Sequence, residues 1–161
     1  MILYHGSTDI IDAPEIRLSN RTLDYGNGFY TTTSYSQAKA WVLRRIKEQR
    51  KNQGYINLFE FEEDALTRLN CLIFEKPTEQ WVDFVMENRT RTGFTHDYDI
   101  VYGPVANDRV YAAFALYEGG ILDKQTLIKE LKTYKLVDQY LFHTKKALQT
   151  LTFKEAQKIT V

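Results

Sequence analysis

The sequence predicts an α+β domain, and three observations carry that expectation. Strand-like and helix-like stretches are intermixed without the regular strand–helix alternation of a doubly wound sheet. The 161 residues suffice for one compact domain with a sizeable core. Hydrophobic residues make up 43% and charged residues 26%, which is ordinary for a globular chain and unlike a disordered one. With three prolines and no linker, repeat or low-complexity stretch, a single domain over 1–161 is expected.

The elements follow in order. Ile2 to His5 reads as a strand, and Ser7 to Asn27 as a polar loop. Phe29 and the β-branched threonines make Gly28 to Thr33 a strand. Ser34 with Gln37 fits a capping box that opens a helix, and Ala38, Trp41, Val42 and Ile46 follow at helical spacing. That helix is expected to end near Asn52-Gln53-Gly54, with Gly54 as its cap. Tyr55 to Phe61 alternates as a strand does. Pro77-Thr78 opens a helix carrying Trp81, Val82 and Val85, and Asp99 to Tyr102 is a strand stopped by Gly103-Pro104. Asn107-Asp108 can cap a helix with Val110, Phe114 and Tyr117 on one face, ended by Gly119-Gly120. Asp123 caps another, with Leu127, Ile128 and Leu131 inward. Val137 to Phe142 is a strand, followed by a short helical turn and a last strand from Leu151.

Charge and cysteine usage narrow the function classes. Lysine plus arginine number 21 and aspartate plus glutamate 21, so a general nucleic-acid coat or polybasic membrane binder is disfavoured. A local basic patch remains open, and Arg44 to Lys51 is the candidate; its ordinary reading is a solvated helix face. Cys71, alone in the chain, makes neither a disulfide nor a thiolate metal site and reads as a small buried hydrophobe. The N-terminus lacks a signal-peptide pattern, and no apolar run is long enough to span a membrane. A cytoplasmic protein is therefore expected.

The residues suited to chemistry cluster early. His5-Gly6-Ser7 ends a strand with an imidazole and a main chain that a ligand can approach closely. Asn27 lies between Gly26 and Gly28, just before Tyr30; the ordinary reading is a turn, the functional one a backbone approach with Tyr30 stacking on a flat ring. Trp41, taken alone, reads as core. The three histidines show no metal-ligand spacing, and no nucleophile motif of a hydrolase is present.

Taken together, these motifs resemble the ADP-ribosyltransferase superfamily, in particular its diphtheria-toxin and poly(ADP-ribose) polymerase branch. The matching residues are His5-Gly6-Ser7, Gly26-Asn27-Gly28-Phe29-Tyr30, and Trp41, eleven residues beyond Tyr30. The whole chain is similar to a bacterial family of unknown function within that clan. That likeness extends through Asp99 to Asp108 and Gln139 to Thr144. The resemblance implies two sheets split around an NAD cleft with flanking helices, on which His5, Tyr30 and Trp41 converge. It implies that NAD is a substrate, bound by His5, Gly6, Ser7, Asn27, Gly28, Tyr30 and Trp41, with no metal. The Gly6 main chain would hold the nicotinamide carboxamide, His5 the adenosine ribose, and Tyr30 and Trp41 the two faces of the nicotinamide ring.

The third family position departs from the pattern. Gln139 stands on the late strand where the superfamily places Glu. Gln139, with His5 and Tyr30, makes up the expected catalytic set. A glutamine bonds a ribose hydroxyl but carries no charge and cannot act as a base, which argues against strong polymer formation and leaves single transfer, a slower activity or another acid. Glu60 and Glu118 are alternative acids whose ordinary reading is surface carboxylate. The leading expectation is a mono-ADP-ribosyltransferase acting on a protein or nucleic-acid acceptor. It would serve as a bacterial toxin with an antitoxin partner, or as a phage-defence effector. The alternatives are a non-catalytic NAD or ADP-ribose binder of the same fold, and a nucleic-acid scaffold using Arg44 to Lys51.

Overall fold

The structure, a computed structural model, describes residues 1–16, 26–91, 95–104, 108–134 and 136–161. The middle of the loop expected from Ser7 to Asn27, and Asn107 as a helix cap, lie outside the described residues.

The chain is α+β, with two sheets and six helices among the described residues. β1 (Ile2–Ser7), β3 (Gln53–Phe61) and β7 (Leu151–Thr160) form an antiparallel sheet in the order β1-β3-β7. β2 (Phe29–Thr31), β6 (Asp138–Phe142), β5 (Ile100–Pro104) and β4 (Cys71–Ile73) form the second, in the order β2-β6-β5-β4. Among the described strands, only β4 and β5 pair in parallel. β4 was hidden in the sequence because Cys71-Leu72-Ile73 is a short apolar run without alternation.

The faces of the two sheets define the layers. Leu3, Phe59 and Phe61 of the first sheet pack against Phe29, Ile100, Tyr140 and Phe142 of the second. The outer face of the second sheet, with Val101 and Leu141, is covered by three helices: α3 (Glu79–Thr90), α4 (Asp108–Glu118) and α5 (Lys124–Leu131). The outer face of the first sheet carries α1 (Tyr35–Glu48), which buries Ala38, Val42 and Ile46 against Ile56. Two single-turn helices, α2 (Ala65–Arg68) and α6 (Lys145–Leu148), complete the chain.

Side-chain caps start four of the helices, at the expected Ser34, Thr78 and Asp123 and at Thr144, which the sequence reading did not single out. Ser34, Thr78, Asp123 and Thr144 each accept a hydrogen bond from a backbone N–H in the first turn of the helix that follows. The end of α1 differs from expectation. The helix stops at Glu48, Arg50 takes the left-handed conformation (φ 54°), and Gly54 lies within β3. Gly54 is a glycine for another reason: a Cβ there would lie 2.6 Å from Val42 Cγ1 and 2.9 Å from Ser7 O.

Asp99, just before β5, ties the starts of β4, β5 and α6 together. Its carboxylate accepts from Thr144 Oγ (2.7 Å) and Asn70 N–H (3.1 Å), with Lys146 Nζ at 3.6 Å. Burial works against its charge, but these partners outweigh it and hold the carboxyl below the usual carboxylate range.

Candidate functional site

Besides packing face to face, the two sheets meet edge to edge at one backbone bridge among the described residues. Tyr4 donates its N–H to Thr32 O (2.8 Å) and accepts from Thr32 N–H (3.0 Å). Continued by one step, this antiparallel ladder would set Gly6 opposite Tyr30, but no further rung forms. Antiparallel strands direct the main-chain groups of alternate residues to the same side. Tyr4 and Gly6 share parity, so the N–H and C=O of Gly6 point toward the edge where β1 and β2 part. That split is the candidate site.

Glycine at position 6 answers first to packing. A Cβ there would lie 2.6 Å from Ala38 O, a backbone atom that cannot step aside, and 3.2 Å from Trp41 Cδ1. Trp41 therefore lies against Gly6, at the flank of α1. It is 43% exposed, so the core reading that its spacing suggests does not hold. The helix is seated on Ala38, Val42 and Ile46, and the indole sits too far round the helix to reach the sheet interior.

Residues facing each other across an antiparallel pair share a face. Tyr4 and Thr32 do so at the rung, and Gly6 and Tyr30 one step on. Tyr30 thus projects on the face that carries Gly6 and Trp41. Its hydroxyl donates to Gly26 O (2.7 Å), which closes the turn before β2, and its ring rests on the core under α3 to α5. The register of β6 sets Leu141 opposite Tyr30, with Gln139 on the same face two residues along. Gln139 is buried, and its amide Nε2 is 3.5 Å from Pro104 O, a long contact that binds it weakly.

His5 points to the opposite, inter-sheet face. Its ring stacks on Phe29 with centroids 4.2 Å apart. Its Nδ1 lies 2.6 Å from Tyr30 O. A carbonyl can only accept, so Nδ1 carries the proton and Nε2 of the neutral ring is an acceptor. Burial lowers the imidazole pKa, against a smaller opposing effect of that bond. His5 so fills the place of the missing rung and locks Tyr30 to β1.

A second histidine braces the same loop from below. His143 Nδ1 donates to Asn27 O (2.7 Å), and Gly28 packs so closely that a Cβ would lie 2.9 Å from that nitrogen. Its Nε2 is buried without a hydrogen-bond partner. Burial, the nearby His96 ring adding to it, pushes the His143 pKa down to about 4. The sequence reading assigned His143 no role, because spacing alone cannot tell a brace from a bystander. Asp138 was missed for the same reason. Its carboxylate accepts from Thr33 N–H (3.1 Å) and Thr33 Oγ (2.7 Å), which fixes the exit of β2.

The remaining candidates fall elsewhere. Ser7 Oγ accepts from Asp9 N–H (3.1 Å) at the end of β1. Glu60 pairs with the N-terminal ammonium (2.8 Å), at the end of β1 remote from Gly6. Glu118 closes α4 and faces Arg89 at 4.0 Å. Cys71 is half-buried beside the inter-sheet core, and burial pushes its thiol pKa up. Among the described residues, no group of three or more His, Cys, Asp or Glu could hold a metal ion, and no helix is long and apolar enough to cross a membrane.

Comparison with known proteins gives one match. The family described as "Protein of unknown function (DUF3990)" covers residues 1–153. The chain belongs to the DUF3990 family. The matched span takes in every residue of the split, from Gly6 to Gln139, so the geometry above lies inside the DUF3990 region. No curated protein and no solved structure matches the chain.

Proposed function

We propose that this DUF3990 protein is an NAD-dependent mono-ADP-ribosyltransferase with an ADP-ribosyltransferase-like fold. The observation that carries this reading is the face shared by Gly6, Tyr30, Trp41 and Gln139 at the split between the sheets. The main-chain N–H and C=O of Gly6, aimed at the open edge, match the donor and acceptor of a carboxamide. Two aromatic side chains on that face suit a flat pyridinium ring, by stacking and by attraction of its positive charge. The resemblance gives His5 to the adenosine ribose, but on the opposite face its part would be to fix the main chain of Tyr30 through Nδ1.

In the reaction, the bond between the ribose anomeric carbon and the nicotinamide nitrogen breaks. Nicotinamide leaves neutral with the bonding pair. An acceptor lone pair forms the new bond to carbon, and the acceptor's proton passes to solvent. Gln139 would hold the ribose hydroxyl through its amide, which needs only to leave its long contact with Pro104 O. An uncharged amide stabilises a developing cation less than a carboxylate would, which favours a single, slow transfer. The role of an intracellular bacterial toxin, restrained by an antitoxin protein, fits such an activity.

Steady-state NAD hydrolysis by wild type, Gln139→Ala and Gln139→Glu tests the reading. Gln139→Ala should fall roughly 10- to 100-fold, at ~1.4 kcal/mol per factor of ten. Gln139→Glu should equal or exceed wild type. Equal turnover by all three removes Gln139 from the reaction centre. Calorimetric binding of NAD without turnover by any of them favours the non-catalytic binder.

A further inference from the structure

The chain is neutral overall, yet its positive charge is not evenly spread. Residues 35–51, which make up α1 and the turn after it, hold six cations and one carboxylate. The cations are Lys39, Arg44, Arg45, Lys47, Arg50 and Lys51, and all but Arg45 are exposed. The carboxylate, Glu48, is occupied by Arg45 at 3.1 Å. The guanidinium groups of Arg44 and Arg45 stand 5.9 and 6.0 Å from the Trp41 ring centroid. Beyond the helix, Arg50 and Lys51 line an open groove of about 690 Å³ whose wall includes Tyr55, Ile10 and Asp9; Asp9 faces Lys51 at 3.6 Å, which leaves Arg50, among the described residues, as the cation of the groove without a carboxylate at hand. The cationic face thus runs from this groove along α1 to Trp41, and Trp41 lies against Gly6 at the split.

We infer that this face docks single-stranded nucleic acid, and that such a strand is the acceptor of the transfer. The inference rests on the ADP-ribosyltransferase reading for the acceptor role but not for the binding. A solvated helix face needs no aromatic groups, whereas a row of cations interleaved with exposed rings follows a phosphate backbone and stacks its bases. Exposed Tyr35 and Trp41 on α1, with Tyr55 in the groove, supply the rings. A duplex would leave those rings unused, because its bases are already stacked. Position decides the acceptor role: a strand laid along α1 passes Trp41 beside Gly6, so a base nitrogen or sugar hydroxyl of the strand reaches the split as the nucleophile.

The test is fluorescence anisotropy of a labelled 20-nucleotide single strand, as RNA and as DNA, across a salt series. It compares wild type with the double variant Lys47→Glu/Arg50→Glu. Wild type should bind, and the double variant should bind at least tenfold more weakly. Its slope of log affinity against log salt should be shallower by about 1.4, the value for two lost phosphate contacts on a single strand. Both side chains lie outside the split, so NAD titration should be the same for the two proteins. Unaltered oligonucleotide affinity in the variant overturns the inference, as does tighter binding of a polyglutamate peptide or a duplex. If NAD binding is absent but the charge-dependent strand binding stands, the docking surface holds and the transferase reading fails. If NAD binds and the strand does not, the docking surface alone fails.

Discussion

The two tryptophans of this chain sit on helices at comparable apolar spacing and meet opposite fates. Trp81 in α3 is fully buried against Phe114 under the second sheet, with ring centroids 5.7 Å apart. Trp41 in α1 is 43% exposed beside Gly6. The difference lies in what each helix packs on. The second sheet offers the side chains of Val101 and Leu141, and Trp81 and Phe114 pack in the same core beneath the helices. The first sheet offers Gly6 and Gly54, so α1 comes down onto the backbone with Ala38, Val42 and Ile46 in the contact. One face is built for stability. The other leaves an aromatic ring free at the junction of the sheets.

Breaking the stable side should have the largest effect. Trp81→Ala removes a fully buried ring and should cost about 3–5 kcal/mol. Urea unfolding measures it. A loss below about 1 kcal/mol, the range of ordinary substitutions, would mean that the α3 layer is loosely packed and that the contrast is false.

Next comes the close approach of α1. Gly6→Ala sets a methyl group against a backbone carbonyl and should cost about 1–3 kcal/mol by overpacking. NAD affinity should fall as well, because Gly6 and Trp41 move apart. A Gly6→Ala variant as stable as wild type would show that α1 has room to retreat.

The histidine braces give a smaller, pH-dependent effect. The folded pKa of His143 lies near 4, against an ordinary 6.5, and that of His5 is also lowered. Between the folded and unfolded values the unfolded chain binds more protons. Stability is therefore full above about pH 6.5 and declines as pH falls toward 4. His143→Asn keeps an N–H for Asn27 O but does not titrate, so denaturation midpoints from about pH 4.5 to about pH 7 should flatten in the variant. A wild type equally stable at both ends would mean that His143 is not held neutral.

Trp41→Ala should change stability least, within about 0.5 kcal/mol, as surface substitutions do. Its affinity for NAD should nevertheless drop by on the order of 1 kcal/mol, for one stacking face lost. A large fall in melting temperature with unchanged NAD affinity would make Trp41 a structural residue.

What the sequence alone determined was local. Ser34, Thr78 and Asp123 start helices because a side-chain oxygen meets an orphan N–H within three residues, and such geometry needs no partner from afar. The α+β class follows from the same kind of reading. Tertiary structure decided the rest. Gly54 reads as a helix end in isolation and became a strand residue because Val42 and Ser7 press on it. Trp41 reads as core and stayed at the surface because two glycines, one of them 48 residues from the other, let α1 come down onto the backbone. Gln139 shares a face with Tyr30 because β6 pairs with β2 in one register across more than a hundred residues of chain. A shift of one residue would turn Gln139 to the other side. Register, the depth of helix packing and the face a side chain takes are set by contacts between distant segments. No window of sequence contains both partners of such a contact.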